Sequence, residues 1–428
     1  MMNNIPGANK TTLANGVRVI TRRMPYLRSV TMGVWVDAGA RDETQAENGL
    51  SHLIEHLIFK GTQKRTAFQI AKEFDDIGGQ TNAFTTMENT CFHAKVMDSH
   101  LETMVEIMSD IFLNSRFDKD ELNKERPVIL QEIGMVEDSP DEYIHILSGK
   151  NFWGDHPLGR SILGTPENIL RFDATTIKQF FQRLYQPGRI IISASGNVDH
   201  KQLVDLVGPA FEAIQKSEGF PERKIPVGHT QVDLHAKKLE QTHICIGLNG
   251  LPTGHPARYG FSLMSTLLGG NMSSRLFQDI REKRGLAYTV YSFVATHVDS
   301  GMFGAYAAVD PARAAETAKL LVSHLHALKQ QRVAETELDS AKEYIKGNLL
   351  LASESSENQM VRLAQNEMHF QRHVPLSEVV QKIEAVTAED IQEIAGRLFE
   401  SSQSSLTVLG QIRDATAYDN ILEPLTNS

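Results

Sequence analysis

The chain repeats itself. Across 428 residues, the order of strand and helix patterns in the first half returns in the second, and any fold must accommodate that duplication. In the first half Val17–Thr21 and Val30–Asp37 read as strands from their Val, Ile and Trp content, the former entered through an Asn15-Gly16 turn. Helical patterns at about 47–61 and 66–78 precede a strand pair, Thr81–Thr85 and Cys91–Val96, and helices follow near 100–114 and 120–137. The second half keeps the order: helices near 257–267 and 272–283, strands Tyr288–Thr296 and Gly301–Val309, helices near 311–329 and 334–350. Asp120-Glu121-Leu122 aligns with Thr336-Glu337-Leu338. So long a period means duplicated domains rather than a solenoid. Hairpins among helices predict an α+β fold of two similar domains, each a mainly antiparallel sheet packed with helices. The expected boundaries are 1–214 and 232–428. Between them the segment 215–231, with Pro221 and Pro226, breaks every periodic signal and reads as a linker. A final strand, Ser405–Leu409, precedes a polar tail.

Composition narrows the function classes. Lys+Arg total 43 against Asp+Glu 53, a formal charge of −10, which argues against a nucleic-acid partner. Cys91 and Cys245 are the only cysteines, so a disulfide framework and a Cys-rich zinc site are excluded. Cys91, beside Phe92, reads as a small buried hydrophobe, and Trp35 and Trp153 read as core. His324 and His326, two apart on a helix, cannot share one face. No apolar run approaches the roughly 18 residues of a membrane span, and Met1–Gly7 has neither a signal core nor an Arg-rich transit pattern. A reducing, cytoplasmic setting without membrane contact is expected.

The chemistry begins on the first helix. Leu50, Leu53, Ile54, Leu57 and Ile58 form an amphipathic stripe, and His52 and His56 fall roughly opposite its centre. Four residues apart, the imidazoles stack one turn above the other and can grip one metal ion, with Glu55 flanking them. A solvated polar face gives the same pattern. A zinc site needs a third protein ligand, and the helix 120–136 offers Glu121, Glu125 and Glu132 on one face, with Leu122, Ile129, Ile133 and Val136 on another. Pro127 should kink that helix or start a new one. Spacing alone does not choose among the three glutamates.

His52-Leu53-Ile54-Glu55-His56 resembles the inverted zinc motif of the pitrilysin and insulin-degrading enzyme family. Within it the chain is most similar to short members, the β-subunit of mitochondrial processing peptidase and its bacterial relatives. The resemblance extends through Gly78-Gly79-Gln80-Thr81-Asn82-Ala83-Phe84-Thr85, Glu88-Asn89-Thr90, Glu125 to Glu132, Gly159 to Thr165, Ser273-Ser274-Arg275-Leu276 and Arg281 to Tyr288. It implies a zinc-dependent endopeptidase of peptides or unfolded segments, with one zinc per chain. His52, His56 and Glu132 would be the ligands and Glu55 the general base. Glu132, 76 positions after His56, matches the family spacing. Glu125 matches an acid that supports the site from behind. Asn82 and Ala83 correspond to positions holding substrate backbone, and Arg281 and Tyr288 to a pair in the second half that binds substrate over the metal.

The duplication adds its own test. Aligning Glu121 with Glu337 sets Ala341 opposite Glu125 and Asn348 opposite Glu132, and the second half has no His-x-x-Glu-His. One half carries the site; the other is a degenerate partner. Ile146 departs from the pattern of acids, including Glu142, that reads an arginine in the mitochondrial enzyme's substrates. Leu268-Gly269-Gly270-Asn271 is too short for the glycine-rich loop of the family's non-catalytic subunit. Long members enclose a chamber with four such domains, so two imply a dimer: a two-fold homodimer, or a heterodimer with an inactive relative. The readings of other classes are a non-catalytic assembly subunit and a module that captures peptides without cutting them.

Overall fold

The structure, a computed structural model, describes residues 3–5, 7–215, 220–399 and 403–426. Positions 216–219 of the expected linker lie outside the described residues. The chain divides into two compact units that interleave in sequence. One is Met1–Gly134, Ser161–Arg223 and Leu350–Pro375; the other is Met135–Arg160, Lys224–Leu349 and Leu376–Ser428. Packing thus recruits one segment of each half of the sequence into the other unit.

The first unit is built on seven strands: β1 (Asn3–Ile5), β2 (Ala8–Thr12), β3 (Arg18–Arg23), β4 (Ser29–Val36), β5 (Gln80–Thr85), β6 (Thr90–Met97) and β7 (Ile190–Gly196). Their order is β1-β2-β3-β7-β4-β6-β5, antiparallel throughout except for β3 with β7. Leu53, Ile54, Met104, Ile107, Ile177 and Phe180 pack in the core between one sheet face and its helices. The other face is covered by the helix Ser356–Phe370, which sets Met360, Leu363 and Ala364 on Trp35, Cys91 and Ile191. Under it the Trp35 indole N–H donates to Ser193 Oγ at 2.9 Å, which satisfies the one polar atom of a fully buried ring.

The second unit has β8 (Gln231–Ala236), β9 (Thr242–Asn249), β10 (Ala287–Thr296), β11 (Gly301–Val309) and β12 (Ser404–Gly410), in the order β10-β11-β9-β12-β8. Only β12 with β8 is parallel. This order maps onto β5-β6-β4-β7-β3 strand for strand, parallel pair included, so the duplication extends to the topology. The helix Pro140–Trp153 covers its second face, with Ile144 and Leu147 on Cys245 and Tyr306. Two imidazole–phenol hydrogen bonds lie beneath it, His145 to Tyr291 at 2.7 Å and His243 to Tyr306 at 2.8 Å.

The two covering helices hold matched places in the repeat. Pro140–Trp153 follows the long helix Lys119–Asp138, and Ser356–Phe370 follows Glu335–Ala352. Each covers a sheet in the other unit's half of the sequence.

Local departures from expectation have local causes. The helix Lys119–Asp138 runs on through Pro127, so no new helix starts there. The helix expected at 272–283 is the wider-wound turn Phe277–Lys283. Trp35, Trp153 and both cysteines are buried as expected, and His324 is tied to Asp279 at 2.9 Å.

Candidate metal centre

The motif helix occupies Leu50–Leu57, and its Leu/Ile stripe is buried as the spacing requires. It is entered through Gly49, whose φ of +104° lies in the left-handed region that favours glycine. A buried carboxylate fixes this entrance. Glu43 accepts the Ser51 N–H at 2.7 Å, the Gly49 N–H at 2.8 Å and the Asn48 amide at 3.1 Å. These take up donors that a helix start leaves without intrahelical partners. Burial pushes the Glu43 pKa up to about 7, against the pull of those same hydrogen bonds.

On the opposite face His52 and His56 lie ring to ring at 4.7 Å. Glu132 Oε2 from the long helix comes to 3.4 Å from His56 Nε2 and 3.8 Å from His52 Nε2. The three ligand atoms all lie within 4.8 Å of one another. Tetrahedral zinc with bonds near 2.0–2.1 Å separates its ligands by about 3.3 Å, so modest closure would suffice. The protonation pattern suits a cation. Burial, helped by the His56 charge, depresses the His52 pKa to about 4, leaving a neutral imidazole with a lone pair to give. Glu132 Oε2 is buried without a hydrogen-bond partner, as are His52 Nδ1 and Glu55 Oε2. The two carboxylate oxygens left bare in this way fit a metal ion and a polar reactant.

Glu125, which sequence set on one face with Glu121 and Glu132, is buried behind the site, while Glu121 pairs with Lys124 at 2.7 Å. Glu125 Oε2 lies 3.2 Å from His56 Nδ1, so that nitrogen carries the proton and Nε2 faces the ligand cluster. Its other oxygen accepts from Lys60 at 2.7 Å. Sequence reasoning missed Lys60, which lies past the last residue of the motif helix, where helical spacing gives no signal. Glu43 had none either, because it lies outside the helix it holds.

Glu55 stands beside the ligands. Burial raises its pKa, and hydrogen bonding at Thr85 opposes the rise. The motif helix packs against β5, the edge of its sheet, where Gln80, Thr81 and Asn82 are exposed. Asn82 Oδ1 accepts the Ala83 N–H at 2.9 Å. Arg281 and Tyr288 lie in the second unit, where the guanidinium carbon sits 4.6 Å from the centre of the Tyr288 ring.

The sequence matches the family model described as insulinase (peptidase family M16) over residues 18–166 and the one described as peptidase M16 inactive domain over 171–345. It is 40% identical to the uncharacterized zinc protease YmxG of Bacillus subtilis, over 91% of this chain and 95% of that protein. An uncharacterized zinc protease of Streptomyces coelicolor is 35% identical, over 95% of this chain and 90% of its own. A protease from Helicobacter pylori shares the fold, with a TM-score of 0.88 at 23% identity over 94% of this chain and 99% of that one. No helix among the described residues is long and apolar enough to cross a membrane. By sequence over nearly its whole length, the chain belongs to the insulinase family, peptidase family M16.

Proposed function

We propose that this chain is a zinc-dependent endopeptidase acting on peptides and on extended segments of unfolded protein. The observation that carries this reading is the convergence of His52, His56 and Glu132 beside the unpartnered carboxylate oxygen of Glu55. One zinc ion per chain, when bound there, supplies a Lewis acid that polarises the scissile carbonyl. The rest falls to the protein's own groups. Glu55 Oε2 takes a proton from the attacking water and gives it to the leaving amine. The open edge of β5 receives an extended peptide as an added strand, with Asn82 and Ala83 exchanging their mutual hydrogen bond for bonds to the substrate. Recognition through backbone suits unfolded segments, since a folded domain has no free strand to offer. Arg281 and Tyr288 donate to substrate carbonyl oxygens and steady the charge that develops on attack.

The working assembly we infer is a two-fold homodimer, with pairing to an inactive relative as the alternative; the solution mass of the purified protein decides between them. Two free, buried cysteines suit the reducing cytoplasm. Zinc-loaded protein should hydrolyse a fluorogenic peptide, and a chelator should stop it. Glu55→Gln should retain zinc and lose activity by several orders of magnitude. Absence of turnover from the zinc-loaded protein would instead favour a peptide-capturing or assembly role.

A further inference from the structure

We infer that Phe277 is a positioning residue for substrate: with the ring of Tyr288 it clamps the Arg281 guanidinium, so that the hydrogen-bonding edge of Arg281 is preset for a peptide oxygen. This rests on the endopeptidase reading and adds to it a residue that neither sequence nor family resemblance singled out.

The geometry is local to the second unit. Phe277 and Arg281 lie four apart on the wide turn Phe277–Lys283, and Tyr288 is the second residue of the following strand, β10. The guanidinium carbon is 4.6 Å from the centre of the Phe277 ring and 4.6 Å from that of Tyr288. Aromatic faces attract a guanidinium electrostatically yet accept none of its in-plane N–H bonds. The acids nearby leave those donors unspent. Asp279 is engaged by Arg284 at 3.1 Å and by His324 at 2.9 Å. Glu282 comes no nearer to Arg281 than 3.8 Å, beyond hydrogen-bonding distance. The Arg281 side chain makes no hydrogen bond among the described residues. A cation held against two rings, with its side-chain donors unspent, is ordered before any ligand arrives, and the entropy of ordering a long side chain is removed from the binding step.

Packing does not explain the aromatic. Leu276 and Ile280 on the same turn enter the core of the unit, whereas Phe277 is only half-buried. Tyr288 is 75% exposed, so its ring is open to a ligand. The clamp needs only its ring, which leaves the hydroxyl for substrate.

The test pairs Phe277→Leu, which keeps apolar bulk without a π face, with Phe277→Trp, which keeps the face. Phe277→Leu should lower kcat/KM by about 10-fold, and Phe277→Trp should restore it to within about 2-fold. In an Arg281→Met background, Phe277→Leu should cost nothing further, because the cation it holds is gone. Zinc content and thermal midpoint should not move with Phe277→Leu. Binding of a fluorescent extended peptide to the zinc-loaded Glu55→Gln protein gives a reading independent of turnover, and Phe277→Leu should weaken it several-fold. An equal loss whether or not Arg281 has been replaced, or no loss in peptide affinity, would overturn the positioning role. Inactive wild-type protein that still binds peptide in this Phe277-dependent way would instead sink the catalytic reading alone.

Discussion

Glu132 and Glu43 hold the same helix site by different means, and their substitutions should fail differently. Glu132→Gln removes the charge of the proposed third ligand, so zinc content should fall along with activity, read by metal analysis after dialysis. Glu43→Gln should change the response to pH. In the unfolded chain this carboxyl ionises near the ordinary 4.5, and in the fold near 7. Its contribution to stability is therefore fully present below 4.5 and lost as the pH rises through 7. Glutamine has no such loss, so the thermal midpoint of the variant minus that of the wild type should climb between those limits and then level off. A falling difference would mean that the N–H donors keep Glu43 ionised. His52, Glu55 and His56 were legible in sequence because their relation is periodic within two helical turns. Glu132 was reachable only through family spacing, since nothing local distinguishes it from Glu121. Glu43 and Lys60 act across the fold, on partners that local pattern does not name.

Elements were legible where local pattern or composition is strong. The stripe of the motif helix announces itself, and the fully buried β11 and β12 were read from their composition, whereas β7 and β9 were missed. Ile190–Gly196 is buried along its whole length, as is Thr242–Leu248, because a helix covers the second face of each sheet. With both faces buried, the alternation that marks a strand disappears. The start of the motif helix gives a sharp element-level test. At Gly49 a Cβ would sit 2.9 Å from Gly164 Cα and 3.0 Å from Leu163 O, in a backbone conformation that side chains resist. Gly49→Ala should cost at least about 2 kcal/mol and weaken zinc binding as the helix start shifts, measured by denaturant unfolding and metal titration. Gly396→Ala, in the helix Ala388–Phe399 where a Cβ meets nothing within 4 Å, should instead stabilise by about 0.5–1 kcal/mol.

At the scale of the whole molecule, duplication was legible and the exchange of helices was not, because a helix's sequence marks which face is apolar but not which sheet it covers. The exchange predicts how the halves behave apart. Without Ser356–Phe370, the first sheet would expose Trp35, Cys91 and Ile191. Fully burying a large apolar side chain is worth about 1.5–3 kcal/mol, and a domain's net stability is only about 5–15 kcal/mol. Halves divided between Gln215 and Phe220 should each aggregate when made alone, and should co-purify as one soluble complex when made together. A soluble, cooperatively folded single half would count against this dependence.

The same feature bears on descent. Each repeat sends the helix after its long helix to the opposite sheet, so a half-length ancestor folding this way had no cover of its own to keep. Two ancestral copies would have had to trade that helix, and gene fusion then joined protomers that were already interlocked. A symmetric half-chain, rebuilt so that its own travelling helix fits its own sheet, should therefore purify as a swapped dimer; a stable monomer would contradict this history.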